Sequence, residues 1–288
     1  MKFSFVSLVT KLTLATSVAG ALVGCDDPTY STPTPVTESS VGQARVLVVN
    51  AAPGSQGVTI QLDNQAFGIV APYLGSAAGT YTSVNAGLRL LLFNDPANTP
   101  SNVPVTTPPA PTRTVVSRTS LLGGTNYTIF VTDPPSRAFV APVTATSDQG
   151  GIRTVTLIDN LAAPAGTFAK IRFVNLAPTA TGGNTTYGIF NFLTQAPLFS
   201  AVPTRGYRST TNTSTATPSV PSVVTNFANF TEVVAGSYTL DVRSVAATPL
   251  AGTQQVVTLV AGKIYTLYTR GIAGNANTPL GISVVTHN

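Results

Sequence analysis

The sequence predicts an all-β protein: two tandem immunoglobulin-like antiparallel β-sandwich domains following a signal peptide and a flexible tether. Three observations predict it. Of 288 residues, 43% are hydrophobic and only 9% are charged, with 24 Gly and 22 Pro. Turn residues scattered between Val- and Thr-rich runs suit short strands better than helices. No window keeps an apolar stripe at helical spacing, whereas "TNYTIFVTD" alternates in part, as a half-buried strand does. The chain also repeats its own plan in the same order twice over.

Residues 1–24 read as a lipoprotein signal peptide. Met1, Lys2 and Lys11 lead into the uncharged run Leu12–Val23, which is too short for a bilayer span of roughly 20 residues. The run ends in Leu22, Val23 and Gly24, followed by Cys25, the one cysteine of the chain. This pattern resembles a bacterial lipobox: a large aliphatic, two smaller residues, then an obligatory cysteine. The resemblance implies that the Cys25 sulfur takes a diacylglyceryl group, with cleavage before it and acylation of the new amine. A lone thiol in an oxidising compartment has no disulfide partner, and thioether formation removes that liability. Several acyl chains together anchor firmly where one holds weakly. The expected location is therefore the cell envelope, at the outer membrane, with the periplasmic or surface face left open.

Residues 25–42, including "DDPTYSTPTPVTESSVG", are rich in Pro, Ser and Thr and cannot bury a core. They read as a tether.

Residues 43–165 and 166–288 read as two copies of one sandwich. "ARVLVVNAAP" (Ala44–Pro53) returns as "AKIRFVNLAP" (Ala169–Pro178). "YTSVNAGLRLLLF" (Tyr81–Phe93) returns as "FTEVVAGSYTLDV" (Phe230–Val242), and "LLGGTNYTIFV" (Leu121–Val131) as "LVAGKIYTLYT" (Leu259–Thr269). Ala-Gly and Ala-Pro pieces mark turns between strands. About seven short strands in each 120-residue copy fit a sandwich, and each copy is expected to carry its own core. Two long loops interrupt the plan: the proline-rich stretch Asn94–Thr112 and the polar stretch Pro203–Ser222. Such lengths are either functional or solvated insertions. In the second, Arg205, Tyr207 and Arg208 are candidate binding contacts, because Tyr and Arg are enriched in hot spots.

The block "RVLVVNAAP…VTIQLDNQAFG", with the Ala-Gly hairpins and "GTNYTIFVTD", resembles DUF4397, a family of uncharacterised domains in bacterial surface proteins. Two copies would cover nearly all of residues 43–288. The second departs from the pattern where it carries "TTYGIFNF". The resemblance implies a β-sandwich and supplies no catalytic residues.

The remaining chemistry is sparse. Without residues 1–24 the formal charge falls from +5 to +3, since Lys2 and Lys11 leave with them. No basic cluster marks a nucleic-acid face. The single histidine, His287, reads as a solvated residue near the end of the chain and supports no Ser-His-Asp triad. No cofactor is expected and no metal site, zinc needing several His or Cys. Asp63-Asn64, Asp133-Pro134 and Asp159-Asn160 read as turn pairs rather than a glycosidase dyad. The expectation is a non-enzymatic, lipid-anchored envelope protein for adhesion, surface structure or assembly. Its expected partners are the membrane, through the N-terminal lipid, and a protein or glycan at the envelope. A glycan or small-molecule binding lipoprotein is the alternative, and a hydrolase a remote one.

Overall fold

The computed structural model describes residues 42–67, 71–75, 80–96, 115–138, 150–213, 222–245 and 248–287. Cys25, Leu22, Val23 and Gly24 lie outside the described residues, as does most of the proline-rich loop. Glu38–Asn288 form one compact unit.

Every element in the described residues longer than a turn is a strand. The first copy contains β1 (Gln43–Asn50), β2 (Thr59–Leu62), β3 (Gln65–Ala66), β4 (Thr82–Asn85), β5 (Gly87–Asn94), β6 (Val115–Leu121), β7 (Asn126–Thr132) and β8 (Arg153–Asp159). They build two four-stranded sheets, β4-β1-β7-β8 and β3-β2-β5-β6. The second copy contains β9 (Phe168–Asn175), β10 (Thr186–Asn191), β11 (Arg205–Gly206), β12 (Thr211–Thr213), β13 (Val224–Asn226), β14 (Thr231–Val234), β15 (Gly236–Ser244), β16 (Gln255–Leu259), β17 (Ile264–Arg270) and β18 (Gly281–Thr286). Its sheets, β14-β9-β17-β18 and β11-β10-β15-β16, repeat the order of the first copy. The hairpin β12-β13 has no counterpart among the described residues of the first copy.

The protein is therefore an all-β sandwich protein of immunoglobulin-like kind, with one addition to the expected antiparallel pattern. The central pair of one sheet in each copy is parallel: Val48 lies opposite Ile129 in β1/β7, and Phe173 opposite Leu267 in β9/β17. Parallel neighbours need a long crossover, and the intervening strands supply it.

Local sequence explains the corners. Asp63 and Asn64 adopt φ of 49° and 65° and close the two-residue hairpin β2-β3, where Asn and Asp tolerate the left-handed region. The repeated Ala-Gly pair sits where the chain leaves one sheet for the other, between β4 and β5 and again between β14 and β15. Gly87 and Gly236 take φ of 117° and 157° there, which a β-carbon would oppose. The repeated Asn of "VNAAP" and "VNLAP" is a buried bracket. The Asn50 side chain donates to Ser55 Oγ and Ala71 O and accepts from Ala52 N. Asn175 donates to Thr185 and to Arg205 O and accepts from Ala177 N and Thr269 Oγ1.

Apolar packing forms three cores, not two. One lies between the sheets of the first copy and includes Val46, Val48, Ile60, Leu91, Phe93, Ile129 and Val131. Its equivalent in the second copy includes Ile171, Phe173, Ile189, Leu240, Val242, Leu267 and Ile282. The third joins the copies: Leu47, Val49, Phe130, Val155 and Leu157 of the first pack with Val174, Leu176 and Tyr268 of the second. The Phe130 and Tyr268 rings lie 5.3 Å apart. These residues occupy the outer faces of β1, β7, β8, β9 and β17. The central strands are thus buried on both faces, and for that reason their sequences read as near-continuous apolar runs with weak alternation.

Candidate functional site

Two polar constellations stand out from the apolar scaffold. The first is a hydrogen-bonded ring across the junction of the copies. Tyr81 and Asp159 come from the first copy, and Arg172, Thr266 and His287 from the second. Arg172 Nη2 donates to Asp159 Oδ1 at 2.5 Å, and both side chains are fully buried. Arg172 Nε donates to Thr266 Oγ1 at 2.7 Å. Thr266 Oγ1 lies 2.7 Å from His287 Nε2, and Tyr81 Oη lies 2.7 Å from His287 Nδ1 and 2.6 Å from Asp159 Oδ2. Thr128 also donates to Asp159 Oδ2.

Tyr81 gives its phenolic proton to Asp159, the acceptor paired with Arg172. With His287 neutral, the arrangement that fits has Thr266 donating to His287 Nε2 and His287 Nδ1–H donating to Tyr81 Oη. Burial, helped by the nearby Arg172 charge, pushes the His287 pKa down to about 3. Burial and the Asp159 charge push the Tyr81 hydroxyl well above its ordinary range. Both ring nitrogens of His287 are engaged in the scaffold, so the residue expected to be solvated is a buried strut, 7% exposed. The backbone explains this. The register of β18 on β17 brings His287 N to Ile264 O, and the ring falls on the junction side, against the edge of Phe230.

A depressed histidine pKa makes stability depend on pH. The unfolded chain takes up this proton below about 6.5 while the folded chain refuses it down to about 3, so this contribution is complete above pH 6.5 and is lost as pH falls through that window. At 1.36 kcal/mol per unit, the loss by pH 4.5 is about 2–3 kcal/mol. Urea titrations at pH 7 and pH 4.5 should show that drop in the native chain and a smaller one in His287→Gln. Equal drops in the two proteins would mean that His287 does not titrate in this way.

The second constellation involves the three residues expected to form an exposed binding loop. The structure turns them inward instead. Arg205 and Tyr207 are buried, and Arg208 is largely covered. Arg208 adopts φ of 57°, donates from its backbone N to Asn175 O, and donates from Nη2 to Thr154 O in the first copy. Its Nε lies 3.9 Å from Asp133 Oδ2. Asp133 is itself a buried hub, held by Arg153 at 2.8 Å and by Arg137 at 3.6 Å. The start of the polar loop is therefore structural, because its cations satisfy buried acceptors that the rest of the chain provides.

Arg205 differs from its neighbours. Its guanidinium lies over the rings of Phe227, Phe199 and Phe173 at 4.1, 4.7 and 5.2 Å. Nη1 donates to Phe173 O, whereas Nε is buried without a hydrogen-bond partner. Desolvation pushes its pKa down to about 10. Beside it opens a cavity of about 400 Å³, bordered by Phe199, Ser200, Thr225, Asn226, Asn229 and Thr231 among others. Arg and Tyr enrichment in hot spots points to Arg205 in the sequence, but nothing there shows the aromatic box or the cavity, whose walls come from two stretches of chain, 198–205 and 224–231.

No protein-family model and no curated protein matches this chain. Among solved structures it is similar to a candidate cell adhesion protein from Parabacteroides distasonis, at 10% identity and a TM-score of 0.18, covering 87% of this chain and 99% of that one. A candidate cell adhesion protein from Bacteroides uniformis gives 11% identity and a TM-score of 0.17, with 86% and 98% covered. The Bacillus anthracis TIE protein gives 9% and 0.19, with 80% and 50% covered. Similarity at this level assigns neither family nor activity.

Proposed function

We propose that this chain is a lipid-anchored cell-envelope protein that acts by binding, with two DUF4397-like sandwiches fused into one arm. The observation that carries the non-enzymatic reading is the fate of its titratable side chains. His287 is closed into a hydrogen-bonded ring, and Asp133, Asp159 and Asp241 each sit in a buried ion pair with an arginine. General acid–base work needs such a group within reach of a substrate and free to exchange a proton. Here Asp133 ties the end of β7 to β8, Asp159 and His287 tie the two copies together, and Asp241 is engaged by Arg243 of its own strand.

Anchoring rests on the Leu22-Val23-Gly24-Cys25 motif. Cys25→Ala should leave a precursor larger than the mature protein and abolish partitioning into detergent. A variant that still partitions at mature size would contradict the anchor. Binding is tested with the full chain as bait on intact envelopes, where a specific protein or glycan should be retained. Turnover of a glycan or ester by the pure protein would replace the reading with an enzymatic one. The cavity beside Arg205 favours a second, narrower reading, in which the captured partner is a glycan or small molecule.

A further inference from the structure

We propose that the cavity beside Arg205 binds a carboxylate carried on a hydroxyl-rich small molecule, an acidic sugar of the hexuronate class. The inference rests on the narrower, ligand-binding reading of the function.

The first argument is charge. Four arginines are buried among the described residues: Arg137, Arg172, Arg205 and Arg243. Three have a carboxylate partner, namely Asp133, Asp159 and Asp241. Arg205 has none, and its Nε is left without an acceptor. A buried cation with an unused donor is costly unless something completes it. The aromatic rings offset part of that cost, but they accept no strong hydrogen bond. A carboxylate in the cavity that Arg205 borders would supply the missing counter-charge, and guanidinium is the side chain best shaped to hold it.

The second argument is the character of the walls. Ser200, Thr225, Asn226, Asn229 and Thr231 present hydroxyl and amide groups, while Phe199 and four aliphatic neighbours give an apolar side on which a sugar ring can lie. Such a mixture suits a ring bearing several hydroxyls. The volume, about 400 Å³, lies within the roughly 300–1,000 Å³ of small-ligand sites. One cation matches a monoanion better than a phosphate dianion, which usually draws several donors or a second cation.

The third argument comes from comparing the copies. Asn50 donates to Ala71 O in the first copy as Asn175 donates to Arg205 O in the second, and Ala71 bridges Val58 as Arg205 pairs with Tyr187, so the first copy has an alanine where the second has Arg205. The wall formed by Val224–Asn226 is β13, part of the hairpin that has no counterpart among the described residues of the first copy. Arg205 and β13 are thus points at which the second copy departs from the first among the described residues, and loops are where a scaffold acquires recognition.

The test is titration of the full chain with glucuronate and galacturonate, followed by calorimetry or by amide chemical shifts. Glucose serves as the neutral counterpart and a galacturonate oligomer as the polymeric source. Saturable binding of a uronate is expected, with glucose weaker by at least about tenfold. Tighter binding of the oligomer would assign the site to the end of an acidic polysaccharide, and equal binding to the free acid; both support the site. Arg205→Gln should lose at least about tenfold in uronate affinity. Because that change also empties the aromatic box, Ser200→Trp supplies the second arm. Ser200 is exposed at the rim, so its replacement should block binding while leaving the melt unchanged. No saturable uronate binding at about 10 mM would overturn the proposal, as would equal affinity for glucose, or full binding by Ser200→Trp. If uronates fail while the envelope pull-down still retains a specific partner, this inference alone falls and the binding function stands.

Discussion

Replacing Arg172 by methionine is expected to lower the stability of the whole protein by about 3–5 kcal/mol, the usual cost of leaving a buried charge without its partner. Arg172 and Asp159 are both fully buried and 2.5 Å apart across the junction. Removing the guanidinium strands the Asp159 carboxylate and takes one donor from Thr266, through which the ring reaches His287. Arg172 also lies 4.5 Å over the Phe230 ring, a contact that methionine keeps only in part. At about 2–4 °C per kcal/mol for a chain of this size, the melting temperature should fall by roughly 6–20 °C. The double variant Arg172→Met/Asp159→Leu should recover much of the loss, because neither charge is then stranded. A single variant that melts with the native protein would show that the pair carries no such weight.

The second large effect concerns the copies apart. Residues 43–165 contain a complete set of eight strands and their own inter-sheet core. Released from the second copy, they would expose Leu47, Val49, Phe130, Val155 and Leu157 on one sheet face. Full burial of such a side chain is worth about 1.5–3 kcal/mol, so several are lost together. A contiguous apolar face of this kind also invites association. The fragment should therefore melt at least about 10 °C below the full chain, or sediment as a dimer or larger species. A monomeric fragment with the melting temperature of the full chain would show that the junction adds nothing.

Much of the architecture can be read from the sequence, and the limits have physical causes. The paired "VNAAP" and "VNLAP" motifs, the two Ala-Gly corners and the "YTIFV"/"YTLYT" strands mark the duplication because each is fixed by local backbone geometry or strand burial. The parallel pairing of β1 with β7 is not legible, since it joins residues about eighty apart through a sheet-crossing path. The junction is also hidden. Asp133 and Asp159 stand before Pro134 and Asn160 and carry ordinary turn signals, while their arginine partners lie elsewhere in the chain. His287 looks solvated from its place in the sequence, and only the register of β18 shows that it is enclosed. Arg205 is the converse case. Its residue type suggests recognition, but its burial, its three phenylalanine neighbours and its lack of an acceptor are tertiary facts.

The account's central claim is that duplication produced one cooperative body, locked by a shared apolar face and a closed polar ring, rather than two beads on a string. Scanning calorimetry of the full chain tests this most directly. A single transition is predicted, with the calorimetric enthalpy equal to the van't Hoff enthalpy, as two-state unfolding of one unit requires. Arg172→Met should lower that transition as a whole. Two separable transitions in the native protein, each carrying about half of the enthalpy and only one responding to Arg172→Met, would contradict the claim.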